Sequence, residues 1–510
     1  MPQDPLTDPI AEPVSAALEY NVARLKQALR AGQNKDVTVR RVCCAGFSVA
    51  LVFLDGMAGA AQINQHILRP LLRAQEDPQP SSARAAYLAD SVLSSASLSQ
   101  CDSLDEAMRA VLDGDTVLFC EGCPQALLVE TKGFAKRGVE QPINEATVSG
   151  PHEAFSENIK INQTLLRRAL HSPRLVLESL SVGTGAPKSC ALVYLDGVCN
   201  EQMLERARKR VAGVNMDYVS TLEELEQLLE DNPYSLFPHF VHTERPDRAV
   251  SFLIEGGALL LMDGSPLALC MPVTLLHLLH SPDVAFQRFP SGTFLRLICA
   301  VGVLLTTFLP GVYLSLVTFH SEVLPLALMT SIYETQSRVP IPIFFELLLM
   351  GVAFDLINTA GARIPGAFGQ GLGVVSALVI GQAAVSADLV SPMLIIVVAV
   401  SGLGSMIIGD YGLSLSFRML QMLFSLAAAI GGLYGISLLM LVCFCELCMQ
   451  QSMGVPFFYP FAPSRMHNPD LITRYPIWQQ RARMYLSNPV RILRARGPAR
   501  AWDKEEKDGK

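Results

Sequence analysis

The chain has 510 residues, a formal net charge of −7 and 17% charged residues, and these averages hide a division. Met1 to Arg296 carries most of the Asp, Glu and Lys, whereas Leu297 to Met449 contains no lysine and only scattered charges. This excludes one soluble globule for the whole chain, marks the second half as the membrane part, and leaves nucleic acid out of the expected partners.

Residues 1–17 are expected to form a disordered tail. Met1 to Asp36 is polar and interrupted by proline, without the basic start and apolar run of a secretory signal, so the soluble half is expected to stay cytoplasmic. Ala50-Leu-Val-Phe-Leu-Asp-Gly56 recurs as Ala191-Leu-Val-Tyr-Leu-Asp-Gly197, each an apolar strand-like run followed by a turn pair and a helix-like segment. The repeat predicts two small α/β subdomains, at 18–140 and 156–240, joined by a linker at 141–155. Helical period is clearest over Thr221 to Glu230, where Thr221 and Glu224 read as a capping box. A connector is expected at 241–296.

The twelve cysteines show no framework spacing. Cys120-Glu-Gly-Cys123 lacks the second half of a zinc site and reads as structural thiols, and no metal or other cofactor is expected.

A transmembrane domain of four to six helices is expected at 297–450. Leu297 to Phe319 is uncharged over 23 residues, enough to span about 30 Å of hydrocarbon. Met419 to Cys445 is uncharged but broken near Gly431-Gly432, and reads as one long tilted helix or as a tight hairpin. Between them lie four shorter runs, Val323 to Leu328, Ile341 to Ile357, Gly371 to Ala387 and Leu389 to Ile408. They are punctuated by Pro325, Pro340, Pro342, Pro365 and Pro392, and broken helices at this depth need cover from protein or a wet cavity. The tail at 451–510 is rich in arginine, including Arg474, Arg483 and Arg494, which places the C-terminus in the cytoplasm too and makes the number of crossings even.

Ionisable residues fall in the punctuated region: Glu322, Glu334, Arg338, Glu346, Asp355 and Arg363, with His320 adjacent. A charge at bilayer depth costs about 2.5–3.5 kcal/mol on insertion scales, so these residues either line an ion pathway or act structurally. In the structural reading Glu334 and Arg338 pair at i, i+4 while Glu322 and Arg363 snorkel at segment ends. Glu346 and Asp355, nine residues apart, point half a turn away from each other on a straight helix. Gly366, Gly369, Gly371, Gly373, Gly381, Gly402 and Gly404 favour close helix approach. No Walker A, G-x-S-x-G or H-E-x-x-H pattern is present and no catalytic residue is nominated. His242, His277 and His280 read as packed or interfacial.

Longer phrases carry a resemblance. Arg137-Gly-Val-Glu-Gln-Pro142, with Glu140, then Gly150-Pro-His-Glu-Ala-Phe155, with Pro151, then Glu157, Asn158, Asn162, Arg167 and Arg168 form one group. Thr243-Glu-Arg-Pro-Asp247, comprising Glu244, Arg245 and Pro246, and Asp263-Gly-Ser-Pro266, with Gly264, form another. Pro310-Gly-Val-Tyr313, Val339-Pro-Ile-Pro342, Ala360 to Pro365 and Gly454 to Pro460 continue it. Together they resemble the GerA family of spore germination receptor A subunits. The chain departs at Ser149-Gly-Pro-His152, and at Asp355 with Asn358-Thr-Ala-Gly361, where the family's Arg-Glu pair is missing; Asn358 joins the candidate gating residues.

The resemblance implies residence in the spore inner membrane and assembly into a ring, expected to be pentameric, that releases cations from the spore core. It also implies a transporter-like B subunit and a lipoprotein C subunit as partners or, for an amplifying paralogue, sporulation membrane proteins. Two other readings stand beside it: a secondary transporter that binds a small nutrient, and a non-conducting scaffold.

Overall fold

Phe47–Leu54 splits its side chains between two cores, as a strand buried on both faces must. Ala50, Val52 and Leu54 pack with helices Leu18–Ala28 (α1) and Leu104–Leu112 (α2), while Phe47, Val49 and Leu51 pack with Ile63, Ile67, Leu71 and Leu88 on the other side. In the computed structural model this strand lies inside a five-stranded antiparallel sheet. The structure describes residues 12–133 apart from 79 and 96, then 142, 145, 150–362, 367–463, 470, 473–480, 482–483 and 489–494. The sheet orders Val37–Cys44 (β1), Phe47–Leu54 (β2), Leu98–Cys101 (β3), Thr116–Cys120 (β4) and Ala126–Val129 (β5) as β1-β2-β4-β5-β3.

A second sheet repeats this order. Leu175–Val182 (β6), Lys188–Leu195 (β7), Val241–Thr243 (β8), Ala258–Met262 (β9) and Ala268–Met271 (β10) run β6-β7-β9-β10-β8, again antiparallel. Ser15 and Ser156, Asn21 and Asn162, Ser48 and Ser189, and Asp55 and Asp196 each stand 141 residues apart. The correspondence reaches single hydrogen bonds: Ser15 N donates to Asn21 Oδ1 at 2.9 Å, and Ser156 N to Asn162 Oδ1 at 2.8 Å. The soluble half is therefore an internal duplication. Its second unit runs beyond Phe240, because β8 to β10 fall in residues expected to be a connector. Ala-Leu-Leu-Leu-Met and Ala-Leu-Cys-Met are buried throughout and so lack the alternation that marks a half-exposed strand.

The two units are tied directly. Asn34 accepts from Leu177 N at 2.7 Å and donates to Leu175 O at 3.2 Å, and Arg167 forms two bonds to Asp36 at 3.0 and 3.2 Å. The first pair caps the open edge of β6.

The apolar half is built on helices Phe289–Thr318 (α3), Ile343–Ala362 (α4), Ala367–Ser386 (α5), Pro392–Met406 (α6) and Tyr411–Met449 (α7). Among the described residues α3, α4 and α7 are long and apolar enough to cross a membrane, and α6 is apolar but shorter. The last is not straight. Gly432 takes φ 56° and ψ −141°, and a Cβ on Gly435 would run into the Ala427 backbone. Phe417 and Phe457 both stack on Phe237, at 5.8 and 6.1 Å between ring centres. A straight helix would carry Met449 about 48 Å from Phe417, and the eight residues on to Phe457 reach back at most about 28 Å. The chain must reverse, so α7 is a helical hairpin with its tip at Gly432, against Phe319 and His320 at the far end of α3. Of the two sequence alternatives, the hairpin holds.

Beyond the hairpin, Gln451–Ser452 pairs with Val455–Pro456 and plugs into the second unit. Ser452 Oγ donates to His239 O at 2.7 Å and Met453 enters that unit's core. Three of the tail's described arginines bind protein carbonyls and carboxylates: Arg474 reaches Ala285 O at 2.6 Å, Arg483 reaches Ile254 O at 2.6 Å, and Arg494 pairs with Glu255.

Candidate functional site: charges within the helical half

Pro340 and Pro342 interrupt the chain between Leu326–Gln336 and α4, and the turn they impose brings Gln336 beside Glu346. Glu346 is completely buried. Its Oε1 accepts from Gln336 Nε2 at 2.9 Å and its Oε2 from Ser391 N at 3.0 Å. Ser391 caps α6, so the carboxylate sits at that helix's positive end.

Asp355 faces elsewhere, as the half-turn from Glu346 requires. It accepts from Arg418 Nε at 2.8 Å and also from Nη2, across the gap between α4 and α7. Their side chains are 30% and 13% exposed, so the pair is largely withdrawn from the surface. A cavity of about 240 Å³ opens beside it between α4, α6 and α7.

The other residues nominated as pathway or gating candidates scatter. Glu334 and Arg338 lie 3.6 Å apart and are both exposed. Glu322 is exposed and 3.9 Å from His320. Asn358 is half-buried on α4, and Arg363 lies outside the described residues. Gly404 meets Gly302, where an added Cβ would lie 2.7 Å from Gly302 O, and this close approach lets α3 and α6 cross. Sequence reading missed Arg418, Gln336 and Ser391. The one available signal was that Arg418 is the lone cation bordering the uncharged run.

The signature phrases gather at the soluble side. Asn158 caps Ile159–Ala169, Phe155 N donates to Glu244 O at 2.7 Å, Gly264 N donates to Glu157 O at 2.7 Å, and Asp263 accepts from Ile159 N at 3.3 Å. Arg168 pairs with Glu153 at 3.3 Å and Pro266 follows in the turn after β9. Arg245, fully buried, bonds Asp247 and Pro151 O and stacks over Phe286 at 5.4 Å. Gly150 sits at φ 120° against that same ring, a conformation and a space that both favour glycine. Pro246 opens the following helix. Thr243 Oγ1 and Glu244 N both donate to Glu145, a hub that lies between the signature phrases and belongs to none of them, and Pro142 is buried. Arg137 and Glu140 lie outside the described residues.

A titratable cluster marks the junction between the second unit and the hairpin. Burial works against protonation of His242, but Glu226 at 2.6 Å from its Nε2 outweighs this and holds the imidazole above its ordinary value. Burial, then Glu226, pushes the Glu230 carboxyl up to about 7. Both folded values are raised, so the stability they confer is full at low pH. It is lost as pH rises, from the ordinary carboxyl range to about 7 for Glu230 and through the raised value of His242. The chain in detergent or lipid is expected to melt higher at pH 5.5 than at pH 8, by about 2–4 °C for each kcal/mol involved. Glu226→Gln should remove the part of the difference that His242 supplies and leave the part that burial gives Glu230, and a pH profile unchanged by that substitution would exclude the His242–Glu226 pair as a source.

Fold and site together define a membrane protein in which a duplicated α/β half is carried on helices that hold charges among apolar side chains. Residues 23–486 match the family model described as Bacillus/Clostridium GerA spore germination protein, and the chain belongs to that family. Its relatives include spore germination protein GerLA of Bacillus cereus, 33% identical over 88% of this chain and 91% of that one. Spore germination protein A1 of Bacillus subtilis (strain 168) is 37% identical over 74% of this chain and 78% of its own. Among solved structures, the N-terminal domain of the A subunit of the Bacillus megaterium spore germinant receptor GerK3 is similar at 24% identity and a TM-score of 0.41. The match covers 51% of this chain and 96% of that one.

Proposed function

We propose that the chain is an A-type subunit of a spore germination receptor whose copies assemble, as a pentameric ring, around a cation path through the inner membrane of the spore. The observation that carries the reading is Glu346, a carboxylate fully buried within a membrane-length helix and held by two donors. Ionisable groups at bilayer depth are rare, face a bundle interior or a wet cavity, and mark substrate or ion routes. The Asp355–Arg418 pair beside a cavity supports the same reading.

In this reading α3, α4, α5, α6 and the two arms of α7 make six passes, with the soluble units and the tail on one side. That side is the spore core in this reading. A transporter-like subunit and a lipoprotein are the proposed companions, and release of cations on a nutrient signal, or amplification of a release begun elsewhere, is the proposed output. One observation favours a non-conducting scaffold instead: Glu346 and Asp355 are each already bonded within the chain.

Reconstituted oligomers in liposomes should pass monovalent cations, and Glu346→Gln should cut that flux roughly tenfold, the size of losing one charge-assisted contact. Flux indistinguishable from protein-free vesicles would favour the scaffold. A monomeric state in both detergent and lipid would remove the ring.

A further inference from the structure

We infer that the tail segment 474–480 lies in the headgroup layer on the soluble side of the membrane and binds anionic phospholipid there, strapping that surface to the second soluble unit. The inference rests on the membrane placement of α3 and not on ion conduction.

The depth follows from α3. Its 30 residues rise about 45 Å, the thickness of the hydrocarbon and both headgroup layers together. Leu297 to Phe319 is long enough to fill the hydrocarbon. Phe289 to Arg296, about 10 Å of helix, therefore stands at headgroup depth on the side of the soluble units.

The tail is fastened along this stretch. A Cβ on Gly292 would lie 2.4 Å from Arg474 Cδ, so the arginine stem packs directly on the helix backbone. Thr293 Oγ1 donates to Arg474 O at 3.2 Å, Arg296 donates to Asp470 O, and Tyr475 N donates to Asp470 Oδ1 at 2.7 Å. Trp478 meets Phe289 edge to face, with 6.1 Å between ring centres. The contacts on α3 all fall within Phe289 to Arg296, which sets residues 474–478 at the same depth.

The surface formed there is apolar and aromatic. Ile477 is 69% exposed, Phe294 62%, and Phe289 and Trp478 both about 40%. Water is a poor neighbour for such a patch, whereas at the headgroup boundary rings bury their bodies in lipid and keep polar edges wet. Charge selects the lipid. Arg288 is exposed beside Phe289, and Ser464 to Arg500 holds eight arginines against Asp470 alone. A guanidinium fork matches phosphate oxygens, and an excess of this sign is drawn to a negatively charged leaflet. Farther along, Arg483 and Arg494 hold Ile254 O and Glu255 of the second unit, so the strap runs from the headgroups to that unit.

The chain has two tryptophans, Trp478 and Trp502, so Trp502→Phe leaves Trp478 as the only indole. This full-length variant is placed in phosphatidylcholine nanodiscs containing increasing fractions of phosphatidylcholine or phosphatidylglycerol brominated on the acyl carbons nearest the headgroup. Both should quench Trp478 emission, and brominated phosphatidylglycerol should do so at about one fifth of the fraction needed for phosphatidylcholine, the factor for one arginine at an anionic surface. Arg288→Gln, which removes no capping bond from α3, should bring the two lipids close to level. Should Trp502→Phe fail to fold, the difference between the natural chain and Trp478→Phe gives the same quenching.

Equal quenching by the two lipids before the Arg288 substitution would leave an apolar contact without charge selection and overturn the inference. Emission untouched by either lipid would also overturn it, and a blue shift that grows with the number of copies per disc would then make a second copy the occupant. Leu297→Trp, with both natural tryptophans changed to Phe, reports the membrane placement from a side chain 61% exposed on α3. Quenching there without quenching at Trp478 overturns the strap alone. No quenching there overturns the placement of α3 on which the strap rests.

Discussion

Arg418→Leu is expected to cost the folded chain about 3–5 kcal/mol, because it leaves the Asp355 carboxylate without its partner in a largely dehydrated place. The measurement is denaturant or thermal unfolding in mild detergent, with the monodisperse fraction as a second readout. The exposed pair gives the contrast. Arg338→Leu removes a partner from Glu334, both side chains being mostly in the open, and should cost no more than about 0.5 kcal/mol. Equal effects from the two leucine variants would show that the Arg418 pair is not shielded. Exchanging the charges, Asp355→Arg with Arg418→Asp, should recover a sizeable part of the loss, and a double-mutant cycle isolates the coupling.

The second large effect lies at the seam between the halves. Phe237→Ala should destabilise by about 3–5 kcal/mol, the range for truncating a buried aromatic side chain. Phe237 touches Phe417 near the start of the hairpin and Phe457 just past its end, so one side chain clamps both feet of α7 to the second soluble unit. Hydrogen exchange should rise together over 411–417 and 451–457, regions far apart in sequence. Tyr234→Ala, at a side chain 93% exposed three residues earlier, should change neither. If exchange rises at only one foot, the clamp is two independent contacts.

Several features were legible in the residues alone. The paired runs ending in Asp55-Gly56 and Asp196-Gly197 announced a duplication because β2 and β7 are long interior strands with matching apolar runs, and a turn pair closes each. The lysine-free half was legible because hydrocarbon tolerates so few charges that composition alone reports it. The extent of the second unit was not. β9 and β10 are covered on both faces, and continuous burial removes the period on which strand assignment depends.

Gly431-Gly432 signalled a break, yet whether the break bends or reverses the chain is set by contacts with Phe237 and with the end of α3. Spacing along one helix put Glu346 and Asp355 on opposite faces, and this follows from the helical repeat without any fold. Which groups meet them is a different matter. Gln336, Ser391 and Arg418 come from three other segments, and no local pattern records a meeting made by packing. By itself the sequence determined composition, period and turn chemistry, the short-range consequences of each residue's own preferences. Partners for the buried charges, the reversal of the last helix and the docking of one half on the other were decided by tertiary structure, since a charge withdrawn from water is satisfied only by whatever the folded chain brings beside it.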